Sequence, residues 1–270
     1  MFQSILKKIS TGLRMVRTYR NWPRLMAYRL NLRPQPMVVK CRDGSLFRVR
    51  DRRKRGSDAY VINESYLYGV HDLILPYLKQ ARVCLDVGAY IGSFSIYAAK
   101  RSGARIFALE PVPETFELLK ENISLNGLGG RVVPVQAALT GQEAHGEADI
   151  FVPSDSAFGS VSPAHLGLYG VSEKPGTLRV PAVTLARIFE EHRIDFCDII
   201  KMDCEGAEYD VLYNTPADIL RRIGIMTIEY HKDGDIAKLT NFLAGLGFEI
   251  TRPSPEFAEI FCRNKNFRQG

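Results

Sequence analysis

Apolar residues along this chain fall into two recurrent patterns. Short unbroken runs alternate with longer stretches in which they return every three or four positions. The runs Val83-Cys84-Leu85 with Val87, Arg105–Leu109, Arg131–Val135, Asp198–Met202 and Gly224–Tyr230 have the length and composition of strands buried on both faces. Between them, Phe94, Ile96 and Tyr97, then Phe116, Leu119 and Ile123, then Leu185, Ile188 and Phe189, and later Tyr209, Val211 and Leu212, recur at helical spacing. Strand and helix in alternation predict an α/β fold with a doubly wound, mostly parallel sheet. Past the last of these units, a helix over Leu239–Leu246 precedes two further short runs, Phe248–Ile250 and Glu259–Cys262, read as an antiparallel C-terminal pair. Upstream, Met37–Val39 and Leu46–Val49 flank Asp43-Gly44 as a hairpin.

The first strand ends in chemistry. Asp86 closes it, and Gly88 and Gly92 bracket a turn that feeds a helix. Glycine lets backbone approach a ligand closely, and the first amides of a helix are unpaired, so a nucleotide-type site is expected here. A dinucleotide turn needs G-x-G-x-x-G, but Ala89 and Tyr90 stand where the second glycine belongs. D-x-G-x-x-x-G instead suits S-adenosylmethionine (SAM), which presents no pyrophosphate to bare backbone. Glu110 ends the second strand, where a carboxylate accepts from ribose hydroxyls. Gln136 and Ala137 follow the third strand beside the expected adenine.

The fourth and fifth strands deliver Asp203, Glu205, Glu229 and His231 to the same sheet edge. Two chemistries are open there. Asp203 or His231 acts as general base on an acceptor hydroxyl, or carboxylates such as Asp203 and Glu229 hold a Mg²⁺ that polarises it.

Four blocks of this chain, CLDVGAYIGSFSIYAA, FALEPVPETFELLKENISLN, VVPVQAALTG and VTLARIFEEHRIDFCDIIKMDCEGAEYDVL, resemble the successive signatures of FkbM-type methyltransferases. The resemblance covers roughly Leu67 to Tyr230. Its most specific part is Lys201 to Glu208, KMDCEGAE, similar to the family's K-I-D-V-E-G-A-E. The family usually carries Asn where Tyr90 stands and Val where Cys204 stands. The resemblance implies a class I SAM-methyltransferase (Rossmann-like) sheet with SAM at Asp86, Gly88, Tyr90, Gly92, Glu110, Gln136 and Ala137. It also implies O-methylation of a sugar or secondary-metabolite hydroxyl, and hints that residues 58–80 cap the cofactor pocket with Asn63, Glu64 and Tyr66. Two other classes stand beside it: a nicotinamide-dependent oxidoreductase, and a non-catalytic SAM-fold adaptor.

Composition changes this picture mainly at the N-terminus. Ten basic residues precede the first acid, Asp43; the whole chain carries +6, so the remainder is acidic at −4. Residues 1–36 therefore read as a basic helical arm, and residues 37–270 as the methyltransferase domain, with its sheet core at about 82–263. Phe2, Ile5, Leu6, Ile9, Leu13 and Val16 share one helical face and Lys7, Lys8, Arg14 and Arg17 lie largely opposite. Such a helix either packs on the domain or lies in an anionic membrane interface. Placement at the cytoplasmic face of the inner membrane, with a glycan acceptor, follows from the second choice. No run of apolar residues is long enough to span a bilayer, and five scattered cysteines suit a reducing compartment. Arg50-Asp51-Arg52-Arg53-Lys54-Arg55 reads as a solvated loop or an anion-binding edge. It lacks the interleaved aromatics that nucleic-acid binding needs. Ser154–Ser160 reads as a substrate loop, with His165 beyond it on the surface.

Overall fold

The buried apolar runs pair as their pattern predicts. The computed structural model describes residues 11–53, 57–142, 146–152, 176–231, 234–251 and 258–267; the segment Ser154–Ser160, His165 and residues 1–10 of the expected N-terminal arm lie outside them. The strands, in chain order, are β1 (Met37–Lys40), β2 (Leu46–Val49), β3 (Val83–Val87), β4 (Arg105–Leu109), β5 (Val132–Val135), β6 (Ala138–Leu139), β7 (Glu147–Val152), β8 (Gly176–Val183), β9 (Cys197–Met202), β10 (Ile223–Glu229), β11 (Phe248–Thr251) and β12 (Glu259–Asn264). Seven of them form the central sheet in the order β11-β12-β10-β9-β3-β4-β5. Pairings from β10 through β9 and β3 to β5 are parallel, while β12 runs antiparallel to both β10 and β11. This is a class I methyltransferase sheet, with the expected antiparallel end. Strand order reverses at β3, where an open α/β sheet leaves a crevice beyond its strand ends.

Alternation along each strand divides the core in two. Cys84, Ile106, Ala108, Ile199, Ile225 and Phe261 face one way, onto Phe94, Phe116, Leu119 and Ile123 of the helices Ser93–Arg101 and Pro113–Leu125. Leu85, Phe107, Leu109, Ile200, Met226 and Ile228 face the other, onto Leu185, Ile188, Phe189, Val211, Leu212 and Leu239. Side chains packed on both faces leave few positions for polar groups, so the acids and the lysine near the strand ends stand out.

The expected hairpin forms, with Met37 opposite Val49, and docks on the helix Pro113–Leu125 and its cap through Asn122 and Asn126. Residues 11–18 are helical, and Trp22–Arg29 forms a second helix. Met15, Tyr19, Leu25 and Tyr28 from this region join the first core. The buried stripe differs from the expected one, because Leu13 is 56% exposed while Met15 and Tyr19 point inward. Tyr19 explains the choice: its hydroxyl donates to buried Asn63 at 2.7 Å, fixing that face of the helix against the domain.

Arg50 also departs from the solvated-loop reading. Its guanidinium binds Asp58 at 2.6 Å and donates to Tyr90 Oη at 2.7 Å and Thr115 Oγ1 at 3.2 Å. Paired and hydrogen-bonded, the charge is held where an unpaired one would be costly.

Candidate active site: one cleft, two charge environments

A cleft with about 1120 Å³ of empty space, including its mouth, opens over the ends of β3, β4, β9 and β10. Asp86, Gly88, Tyr90, Glu110 and Ala137 line it together with Asp203, Glu205 and Glu229. The sheet reversal therefore brings together eight of the sequence-predicted site residues. Gly92, Gln136 and His231 are not among its lining residues. Gly92 takes φ +85 behind the turn, where a Cβ would lie 2.7 Å from Leu119 Cδ1. It shapes the turn from behind. Gln136 is half-buried beside the cleft while its neighbours Ala137 and Ala138 form the wall.

The β3 side is tightly preorganised. Gly88 takes φ +74, and a Cβ there would lie 1.7 Å from the Asp203 carbonyl oxygen, so the position admits no side chain. Tyr90 takes φ +51, an uncommon conformation for a residue with a side chain. Its hydroxyl explains how the turn holds: it donates to Asp58 at 2.6 Å and accepts from Arg50. Asn adopts this backbone region more readily than most residues, which gives a physical reason for Asn at this point in the family pattern. The Tyr90 amide donates to Glu110 Oε2 at 3.0 Å and the Val112 amide to Oε1 at 2.9 Å. Burial raises the Glu110 carboxyl to about 7 against the pull of those two amides. Ser95 Oγ donates to Asp86 Oδ2 at 2.6 Å, while Asp86 Oδ1 is buried without a partner.

These residues fit SAM. Asp86 presents an unused acceptor inside a cradle whose floor has no room for a side chain, and Glu110 is oriented through both oxygens. Val112, Ala137 and Leu139 add an apolar wall for a flat base.

The β9 side is built differently. Lys201 Nζ, enclosed beneath the loop, donates to Asp203 Oδ2 at 3.1 Å and to the Gly88 carbonyl at 3.4 Å. Burial works against its charge, but Asp203, Asp86 and Glu229 outweigh it and keep the amine protonated. Glu205, at φ +52, and Gly206, at φ +97, turn the chain out of β9. Buried Glu208 then accepts from the Cys204 and Gly206 amides at 2.9 and 3.0 Å. His231 Nδ1 lies 3.1 Å from Glu208 Oε1 and its Nε2 3.5 Å from Glu205 Oε2. Burial lowers the imidazole pKa, yet the Glu208 hydrogen bond and the charges of Glu208, Glu205 and Asp203 carry it to about 9. The two glutamates thus favour the imidazolium, the form that has no free lone pair with which to act as base.

Sequence reading missed Lys201, Thr227 and Glu259 as cleft residues. Of the three named in the cap, only Glu64 lines the cleft; Asn63 accepts from Tyr19, and Tyr66 donates to Ser45. Crowding raises several acids here. Glu229, at the solvent-exposed end of β10, is pushed up to about 9, by Asp203 first. Glu64 and Glu259 rise to about 7, each chiefly through burial with Asp203 adding to it. Among the described residues, Asp203, Glu205 and His231 also bring one ligand atom each within 4.8 Å of one another. Glu229, expected to share a metal with Asp203, is not in that set.

A family model described as the methyltransferase FkbM domain matches residues 86–250. The chain is 27% identical over 205 residues to the hexuronic acid methyltransferase AglP of Haloferax volcanii, covering 74% of this chain and 79% of that protein. It is 26% identical over 197 residues to the methyltransferase sdnD of Sordaria araneosa, covering 64% and 76%. Among solved structures, the precorrin-6y C5,15-methyltransferase of Geobacter metallireducens aligns at 16% identity over 72% of this chain and 85% of that one, with a TM-score of 0.41.

Proposed function

This chain belongs to the FkbM methyltransferase family, a SAM-dependent group, and from that premise we propose that it methylates a hydroxyl oxygen on a saccharide or related polyol. The observation that carries this reading is the contact between Gly88 and Asp203. Backbone of the donor turn and backbone of the Asp203 loop touch, and both residues line one cleft. When bound, SAM supplies an electrophilic methyl group on a sulfonium. Asp86, Gly88 and Glu110 orient that donor, and the close walls hold an acceptor oxygen in line with it, an alignment worth about 7–11 kcal/mol of barrier. Asp203 would take the acceptor hydroxyl proton, leaving that oxygen to receive the methyl group that bound SAM would supply. Glu205 turns toward the same space, and charged His231 braces it with Glu208.

The nicotinamide alternative falls with the family membership and the missing glycine. The adaptor alternative would leave the oriented pair Glu110 and Asp86 without a task. A Mg²⁺ at Asp203, Glu205 and His231 is the second reading of the acceptor side, favoured by their spacing. It requires the His231 proton to leave, and activity that survives exhaustive EDTA treatment eliminates it.

The relative named for a hexuronic acid supports a sugar acceptor. A seat on anionic lipid is supported by Leu13, Leu30 and Leu32, 56, 61 and 73% exposed, standing in one stretch with exposed Arg14, Arg17, Arg24 and Arg33. No helix among the described residues is long and apolar enough to cross a membrane. Since Met15, Tyr19, Leu25 and Tyr28 serve the core, removing the whole arm would confound the test. Replacing the three leucines by serine and sedimenting the protein with anionic vesicles is cleaner, and unchanged binding would sink the idea.

The hydroxyl assignment is tested with isotopically labelled methyl donor and a panel of sugars, followed by mass analysis of which atom gains the label. Label on nitrogen or carbon only would overturn it.

A further inference from the structure

Strand register sets an unusual group of side chains side by side. Asp86 stands opposite Lys201 across β3 and β9, and Lys201 opposite Thr227 across β9 and β10. Two residues further along β10, Glu229 stands directly opposite Glu259 of β12. Two carboxylates at directly opposed positions would repel, so the pair cannot fully ionise until a cation joins it. Glu64 enters the same cleft from the Glu64–Tyr68 turn above. Lys201 is the lysine among the described lining residues, and it is already bonded to Asp203 and to the Gly88 carbonyl. Thr227 adds an independent sign of a ligand. It lines this part of the cleft at 3% exposure, and its Oγ1 has no hydrogen-bond partner. A buried hydroxyl is rarely left so unless something else completes it.

We propose that the acceptor is an amine-bearing sugar or polyol whose ammonium group is held by Glu64, Glu229 and Glu259, with Thr227 Oγ1 at the base of the subsite. The proposal rests on the hydroxyl-transfer reading of the same cleft and names its substrate class. A bare metal ion suits the three glutamates less well: the described group that gathers ligand atoms within 4.8 Å is Asp203, Glu205 and His231, and none of the three belongs to it. More widely spaced carboxylates match a cation that spreads its charge over several N–H donors and carries hydroxyls beside them. A uronate would meet repulsion here, which sets this chain apart from a relative named for a hexuronic acid.

The test uses the full chain with labelled SAM and four probes: D-glucosamine, N-acetyl-D-glucosamine, D-glucose and D-glucuronic acid. The expected result is label on an oxygen of glucosamine, with kcat/KM about a hundredfold above that for the N-acetyl sugar, because a site built for a polar group strongly rejects the analogue lacking it. Calorimetry on protein loaded with S-adenosylhomocysteine should show glucosamine binding more tightly than glucose. The Glu229→Gln and Glu259→Gln double variant should erase that preference, and Thr227→Val should weaken it, with circular dichroism confirming the fold of each. Equal or better transfer to glucose, N-acetylglucosamine or glucuronate overturns the subsite and leaves the hydroxyl reading standing. Label on the glucosamine nitrogen keeps the subsite and overturns the hydroxyl reading. No label and no binding heat with any probe overturns both.

Discussion

The proposed donor and acceptor halves of the cleft are both lined by carboxylates, yet the two sets are held in opposite ways. On the β3–β4 side, Glu110 accepts from two backbone amides and Asp86 from Ser95, so each acid is held by neutral donors. On the β9–β10–β12 side, Glu64, Glu229 and Glu259 crowd Asp203 and one another, with Lys201 nearby and His231 beside Glu229 as the cations. The contrast teaches that one half is complete before ligand arrives, while the other is under electrostatic load. A preorganised seat suits a cofactor common to many enzymes. A loaded one suits a substrate that relieves it.

The largest expected effect breaks the donor half. Gly88→Ala drives a Cβ into the Asp203 carbonyl, and donor affinity should fall by more than about a hundredfold in a calorimetric titration, since only glycine fits there. Asp203→Asn sharpens the contrast from the other side: kcat should drop by about 10²–10⁴-fold while donor affinity changes little. Equal losses in both measurements would show that the halves are not separable. Tyr90→Phe removes one bond from each of Arg50 and Asp58, and should lower unfolding stability by about 1–3 kcal/mol in urea while weakening donor binding.

The smallest expected effect concerns pH. Glu64, Glu229 and Glu259 have folded pKa values of about 7, 9 and 7, above their usual value of 4.5. A raised acid favours its protonated form in the folded state, so its stabilising contribution is complete below 4.5 and is lost as pH climbs through the folded value. These three should therefore make the melting temperature decline between pH 5 and pH 9. Glu110 and His231 add the same sign, with folded values of about 7 and 9. Asp203, Glu205, Lys201, His231 and Tyr60 are the charged or titratable groups that bear on the three acids. Glu229→Gln should flatten the decline, and a slope unchanged from the parent would refute the crowding.

What could be read from the sequence follows the same division. The donor turn is contiguous: Asp86, Gly88, Tyr90 and Gly92 lie within one strand-turn-helix unit, and Glu110 ends the next strand. Local spacing was enough to group them at one turn, although Gly92 shapes the turn from behind and Gln136 stays out of the wall. Lys201, Thr227 and Glu259 come together only through the register of β3, β9, β10 and β12, which no local pattern displays. Thr227 in particular resembles any β-branched residue of a buried strand. The charge of His231 was equally hidden, because Glu208, 23 positions away, sets it. Arg50 looked like the start of a solvated run because a string of basic residues gives no sign that one of them turns inward to Asp58.

The missing side chain at Gly88 has a consequence for how such an enzyme diversifies. With two main chains touching at that point, and Lys201 pinning both, neither loop can be remodelled without displacing the other. New acceptors would have to be accommodated from the surrounding rim, by exchanging side chains on the Glu64–Tyr68 turn or at the start of β12. The seam itself would pass unaltered from one specificity to the next.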